Sequence, residues 1–126
     1  MMFAAKRRVL LVEDDPFVAM VMEETLQSMK LEVLVDLNLG DALREVDASD
    51  FDVALVDVDL RGENGCPLIL ALLEKQVPFA VMSGGDLSVL AAEFPHIRMV
   101  SKPLEMAALQ QLVRELLEES SSSAQG

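Results

Sequence analysis

The chain contains a single cysteine, Cys66, no tryptophan and no tyrosine, and its five phenylalanines are its whole aromatic content. One cysteine excludes an intramolecular disulfide and gives no sign of an oxidising compartment, so Cys66 is expected to serve as a small packing residue. Basic residues are scarce too: ten Lys and Arg face 22 Asp and Glu, a formal net charge of −12. That balance repels nucleic acid phosphates and anionic membrane surfaces, so neither direct nucleic acid binding nor membrane attachment is expected. It suits a cation site and a basic partner surface, although most acids in such a chain are solvated helix faces. Long hydrophobic runs are missing as well. The apolar run VLLV, after the first basic residues, lasts four residues before acids interrupt it, so it is not expected to be a signal peptide. No stretch approaches the ~20 apolar residues of a membrane span. A cytoplasmic location is the expectation.

What is present is a large apolar fraction, 52% of 126 residues, enough for one packed globular domain and too short for that domain plus a second folded one. Residues 8–12 (RVLLV) read as a buried strand that stops at a cluster of acids. Asp15 followed by Pro16 reads as a helix start, a side-chain cap with a proline preset for the first turn. The helix it opens, with Phe17, Met20, Val21, Glu24 and Leu26 approximating an apolar face, is expected to end near Met29. A second strand is expected at 32–36 and a short helix at 41–46, bounded by Gly40. The third strand, FDVALVD, is almost continuously apolar, as a central parallel strand covered on both faces would be. Beyond the loop DLRGENG lie a helix over PLILALLEKQ, a strand over PFAVMS, a short helix at 87–93 and a fifth strand at 97–100. Leu109, Leu112, Val113, Leu116 and Leu117 give the last helix an apolar stripe at spacings of three and four. Strands that alternate with helices define an α/β class with a parallel sheet. The folded part is expected at 7–118, with 119–126 a flexible Ser-rich tail that lacks apolar periodicity.

In an open parallel sheet, ligands bind outside the carboxyl ends of the strands. Strand one ends in Glu13, Asp14 and Asp15, strand three in Asp57, strand four in Ser83, and strand five in Lys102. Each suits a phosphoryl transfer. Mg²⁺ takes oxygen ligands, which Asp14 and Asp57 offer, and a carboxylate such as Asp57 can attack phosphorus to form an acyl phosphate. Lys102 and Ser83 can stabilise charge on the phosphoryl oxygens. Each residue taken singly has an ordinary alternative. Asp14 or Asp15 can cap a helix, and Asp15 is assigned to the cap. Ser83 before two glycines can be a turn residue, and Lys102 a surface lysine. Asp57 is harder to place otherwise, because a carboxylate at the end of a buried strand costs free energy unless a cation compensates. The convergence of four strand ends favours the functional reading.

With LLVEDDP, FDVALVDVDLRGENG, Ser83 and Lys102-Pro103 in this order, residues 7–118 resemble the receiver domains of bacterial response regulators. The resemblance implies a doubly wound, flavodoxin-like fold, a five-stranded parallel sheet in the order 2-1-3-4-5 with five helices. It implies Asp57 as phosphoacceptor, Glu13 and Asp14 as the metal-binding acidic pair, and the Asp59 backbone carbonyl as a further Mg²⁺ ligand. It implies Ser83 as the switch hydroxyl, Lys102 as the phosphoryl-binding lysine and a cis peptide before Pro103. The implied partner is a sensor histidine kinase or a histidine phosphotransfer protein. The protein would then be a signalling domain that catalyses no more than its own phosphorylation and dephosphorylation. Its output would be a downstream protein target or the draining of phosphate from a shared kinase. Three departures stand out: Arg61 replaces the usual proline, Gly84 a common alanine and Met99 the usual aromatic. The interval from Ser83 to Lys102 is short, which predicts a stunted fourth helix. VPFAVMSGGD with DLRGENG is similar to a subgroup of stand-alone alphaproteobacterial receivers with an altered fourth strand. Two competing readings are a pseudo-receiver interaction module and a phosphatase of the haloacid-dehalogenase type, the latter prompted by Asp57-Val58-Asp59 and disfavoured by chain length and motif position.

Overall fold

The computed structural model describes residues 6–125. Five parallel strands form one sheet: β1 (Arg8–Val12), β2 (Glu32–Asp36), β3 (Val53–Asp57), β6 (Phe79–Ser83) and β7 (Arg98–Ser101). Their order is β2-β1-β3-β6-β7, the expected 2-1-3-4-5 when the sheet's own strands are counted. Between β3 and β6 lies a small antiparallel ribbon, β4 (Asp59–Leu60) with β5 (Glu63–Asn64). The helices are α1 (Pro16–Gln27), α2 (Leu39–Ala48), α3 (Cys66–Lys75), α4 (Ser88–Glu93) and α5 (Met106–Gln125).

Alternation along the strands splits the core in two, because successive side chains leave a strand on opposite faces. Val9, Leu11, Val53, Leu55, Ala80 and Met82 pack under α1 and α5, with Leu26, Leu112 and Leu116. Leu10, Val12, Ala54, Val56 and Val81 pack under α2 and α3, with Val46, Ile69 and Leu72. β1 and β3 are buried on both faces, which explains their unbroken apolar sequence. Truncating one such leucine to alanine costs about 2–5 kcal/mol, a large share of the roughly 5–15 kcal/mol that holds a domain together.

The helix starts follow capping chemistry. Asp15 Oδ1 accepts from the N–H groups of Phe17 (2.9 Å) and Val18 (3.3 Å), as its sequence position implied. Asn38, not Gly40, caps α2, accepting from the Asp41 N–H at 2.8 Å, so Gly40 lies inside the first turn. Lys75 secures the other end of α2 by donating to the carbonyls of Val46 (2.8 Å) and Ser49 (2.9 Å). The structure corrects two expectations about helices. In α1 the buried residues are Ala19, Met22, Thr25 and Leu26, while Phe17, Met20 and Val21 of the expected core face lie exposed. This helix is apolar on most sides, so the spacing alone did not choose a face. The helix α5 also runs on to Gln125 and does not give way to a coil at 119. Its packed stripe carries propagation into residues of middling propensity. Arg7 adds hydrogen bonds to the Leu117 carbonyl (3.1 Å) and the Ser121 hydroxyl (3.0 Å). Gly126 lies outside the described residues. The helix α4 is short as expected, six residues with none buried.

Asp36 closes β2 with one carboxylate oxygen, Oδ2, buried and without a hydrogen-bond partner among the described residues. Burial, and then the charges of Glu45 and Asp41 against the counteracting Arg44, push its pKa from 3.8 up to about 6. A carboxyl raised in the folded state binds more protons there than in the unfolded chain, so stability falls as pH rises through that window. Asp36→Asn is expected to raise the melting temperature at about pH 8 and to leave it nearly unchanged at about pH 4, as thermal unfolding at both values would show.

Candidate functional site

The strands deliver their charged ends to one edge of the sheet. Val12 pairs with Val56, Asp57 with Met82, and Ser83 with Ser101, so the residues that follow β1, β3, β6 and β7 emerge side by side. The Lys102 N–H donates to the Ser83 carbonyl at 2.8 Å and carries the β6–β7 ladder one step further. The Lys102-Pro103 peptide is cis. From that position Lys102 Nζ donates to Glu13 Oε1 at 2.6 Å and to Asp57 Oδ2 at 2.7 Å. Glu13 is 0% exposed and Asp57 1%, so the ammonium is the counter-charge that makes their burial tolerable. Backbone N–H groups take the other oxygens: Asp15 donates to Glu13 Oε2 at 3.2 Å and Asp59 to Asp57 Oδ1 at 2.8 Å.

Asp14, half-buried, completes the cluster. One carboxylate oxygen from each of Glu13, Asp14 and Asp57 lies within 4.8 Å of the others. Three carboxylates against the Lys102 ammonium and the exposed Arg61 guanidinium beside Asp14 still leave an excess of negative charge at a largely buried edge. Burial raises the Glu13 pKa, and the Asp57 charge adds to it against the bonds from Lys102 and Asp15. Burial alone would lower Lys102, but its bonds and charge interactions with Asp57 and Glu13 outweigh that and raise it. Hard oxygen donors with uncompensated charge are the donor set a small divalent cation takes, so the residues fit Mg²⁺.

The DLRGENG segment, expected as a plain loop, forms the β4–β5 ribbon. Asp59 pairs with Asn64 and Leu60 with Glu63, leaving Arg61 (φ 51°) and Gly62 (φ 80°) as a two-residue turn. Positive φ at both central positions is the hairpin geometry that matches strand twist. Proline, fixed near φ −65°, cannot take the first of them, so Arg61 and the ribbon go together. Leu60, 1% exposed, anchors the ribbon in the core. At Gly65 a Cβ would meet the Val58 Cα and Cγ1 at 3.1 Å, which keeps that approach for glycine. The Arg61 guanidinium reaches back to Asp14, with Nη2 donating to its carbonyl at 3.3 Å and Nε 3.7 Å from Oδ2. Its side chain is 73% exposed, so the pair contributes little to stability.

The structure thus brings Glu13, Asp14, Asp57, Ser83 and Lys102 to one edge, and Asp59 with them. The Asp59 side chain is what sequence reasoning missed. It accepts from the Ser83 hydroxyl at 2.9 Å and from the Gly84 N–H at 3.1 Å. Its spacing of two from Asp57 was the available signal, since residues i and i+2 share a face in extended backbone.

The response regulator receiver domain family matches residues 9–114, and the chain belongs to that family. It is similar to the response regulator protein PilR of Pseudomonas aeruginosa, 25% identical over 118 residues that make up 90% of this chain and 26% of that protein. The chain therefore spans about a quarter of that curated relative's length. Among solved structures, the CheY-like receiver domain protein of Methanospirillum hungatei JF-1 superposes with a TM-score of 0.85 at 22% identity, covering 94% of this chain and 99% of that one. SdrG of Sphingomonas melonis Fr1 superposes with a TM-score of 0.75 at 29% identity, covering 91% of this chain and 99% of that one.

Removing the shared ammonium leaves two buried carboxylates facing each other. Lys102→Met is expected to cost about 3 kcal/mol in metal-free buffer, at the low end for breaking a buried pair because Lys102 is partly exposed. Glu13→Gln in the Lys102→Met background should recover part of the loss. Urea unfolding of both variants checks this, and the deficit should shrink under acidic conditions, as Glu13, whose pKa burial raises, takes up a proton.

Proposed function

We infer that the chain acts in two-component signalling by accepting a phosphoryl group on Asp57 from a sensor histidine kinase or a histidine phosphotransfer protein. The observation that carries this reading is the buried Asp57 carboxylate, held between Lys102 Nζ and the Asp59 N–H beside Glu13 and Asp14. In the transfer, one Asp57 oxygen forms a bond to phosphorus as the bond from phosphorus to the donor imidazole nitrogen breaks. The imidazole leaves with the electron pair and is protonated by solvent. Lys102, fixed at the end of β7, holds positive charge beside the developing acyl phosphate, and Ser83 supplies a hydroxyl donor from β6. Mg²⁺ would be held by Glu13, Asp14, Asp57 and the backbone carbonyl of Asp59, and when bound it neutralises charge on the phosphoryl oxygens.

In this reading the domain is a switch and not an enzyme acting on other molecules. Phosphorylation adds charge and acceptor oxygens at the strand ends and biases the Ser83 loop. The output is a bound protein target or the draining of phosphate from a shared kinase. A cytoplasmic location follows from the kinase partnership, and among the described residues no helix is long and apolar enough to cross a membrane. The six-residue α4 supports placement in the alphaproteobacterial subgroup, whose fourth helix is reduced. A phosphatase of the haloacid-dehalogenase type is disfavoured, because the Asp59 carboxylate is already engaged by the Ser83 hydroxyl and the Gly84 N–H.

Intact-protein mass after incubation with acetyl phosphate tests the reading. Wild type is expected to gain one phosphoryl mass with Mg²⁺ and none without it, and Asp57→Asn to gain none in either case. Absence of any gain from acetyl phosphate and from a phosphorylated histidine phosphotransfer protein would make the chain a pseudo-receiver interaction module.

A further inference from the structure

Ser83 has a single O–H to give, and in this structure Asp59 holds it. The hydroxyl donates to Asp59 Oδ2 at 2.9 Å, and the Gly84 N–H donates to the same oxygen at 3.1 Å. The Gly85 N–H donates back to Ser83 Oγ at 3.0 Å and closes the network. Ser83 is 2% exposed, so solvent does not compete freely for its hydroxyl. A bond to an ionised acceptor is roughly twice as strong as one between neutral groups. The Asp59 N–H meanwhile donates to Asp57 Oδ1 at 2.8 Å, so one residue bonds both the acceptor carboxylate and the hydroxyl expected to serve it.

We propose that the Asp59 side chain is a positioning residue that latches the Ser83 hydroxyl and the Gly84 N–H away from Asp57, and that a phosphoryl group on Asp57 opens the latch. The proposal rests on the reading of Asp57 as phosphoacceptor. The Ser83 proton cannot serve Asp59 and a phosphoryl oxygen with full strength at once, so its contribution to transfer requires release from Asp59. The phosphoryl group offers new acceptor oxygens and places further negative charge near the Asp59 carboxylate, so the same event strengthens the new acceptor and repels the old one. The segment has room to respond. Nothing lies within 4 Å of a Cβ built on Gly84. A cavity of about 320 Å³, lined by Asp59, Ser83, Leu87 and Leu90 among others, opens beside it. The next helix, α4, has no fully buried residue, and its Leu90 packs on the core only in part.

The test is a cycle on the full chain with Mg²⁺ and acetyl phosphate, comparing initial rates of phosphoryl gain for wild type, Asp59→Ala, Ser83→Ala and the double variant. In this reaction an Asp57 oxygen bonds to phosphorus and acetate leaves with the electron pair. Asp59→Ala keeps the backbone carbonyl. It is expected to raise the rate about tenfold when Ser83 is present, the equivalent of about 1.4 kcal/mol, and less than about twofold when Ser83 is alanine. In the unphosphorylated protein, Asp59→Ala should speed hydrogen exchange at the Gly84 amide by about tenfold, and Asp59→Asn, which keeps an acceptor oxygen, should restore much of the protection. A slower or unchanged rate, equal changes in both backgrounds, or unaltered Gly84 exchange overturns the latch. Failure of every variant with Asp57 intact to gain a phosphoryl group overturns the acceptor reading and the latch with it.

Discussion

The Lys102 ammonium, set between Glu13 and Asp57, is the interaction on which the site's edge of the molecule depends. Two carboxylates withdrawn from water, from the ends of β1 and β3, would be intolerable alone, and the lysine reaches them from beyond the end of β7, past the intervening β6. The register that places Ser83 opposite Ser101 and lets the Lys102 N–H bond the Ser83 carbonyl is what gives the ammonium its reach. Charge neutralisation and strand register therefore constrain each other. The remaining excess of negative charge, with Asp14 added, is the electrostatic reason a divalent cation suits the site in the function proposed.

Around that fixed edge the chain departs from its family where the backbone allows. Arg61 takes a left-handed conformation that proline cannot adopt, and with Gly62 it turns a ribbon that Leu60 pins to the core. Met99 lies partly buried against the cluster under α2 and α3, at the position where the resemblance implied an aromatic ring. The reduced α4 has no fully buried residue and rests on the core through the partly buried Leu90, and the loop before it is held by bonds that converge on Asp59 and Ser83. With the fourth helix short, those bonds link the acidic cluster through Asp59 to the loop beyond β6.

Much of this was legible in the residues themselves. Continuous apolar runs marked β1 and β3 because both faces of those strands are covered, and Asp15-Pro16 marked the start of α1 because the capping oxygen and the proline act locally. The acids, the serine and the lysine at the strand ends were identifiable because a parallel sheet collects its carboxyl ends at one edge. Other features were not. The buried face of α1 was misread because the helix is apolar on several sides, and only the packed sheet selects Ala19, Met22 and Leu26. The extension of α5 to Gln125 went unseen because serines carry no periodicity, while Arg7, more than a hundred residues away in sequence, bonds the Leu117 carbonyl and Ser121.

By itself, then, the sequence determined the α/β class, the alternation of the sheet's strands with helices, the Asp15 cap and the identity of the chemical groups at the strand ends, all of which follow from local periodicity, local hydrogen bonding and the topology of a parallel sheet. The tertiary structure decided which of those groups meet and how each is occupied: Lys102 shared between two carboxylates, Asp59 on Ser83 and Gly84, Arg61 over Asp14. Pairings of this kind depend on register, on the hand of a two-residue turn and on which lone pairs are already taken. Those quantities exist once distant segments have been packed against one another, and no single stretch of the chain encodes them.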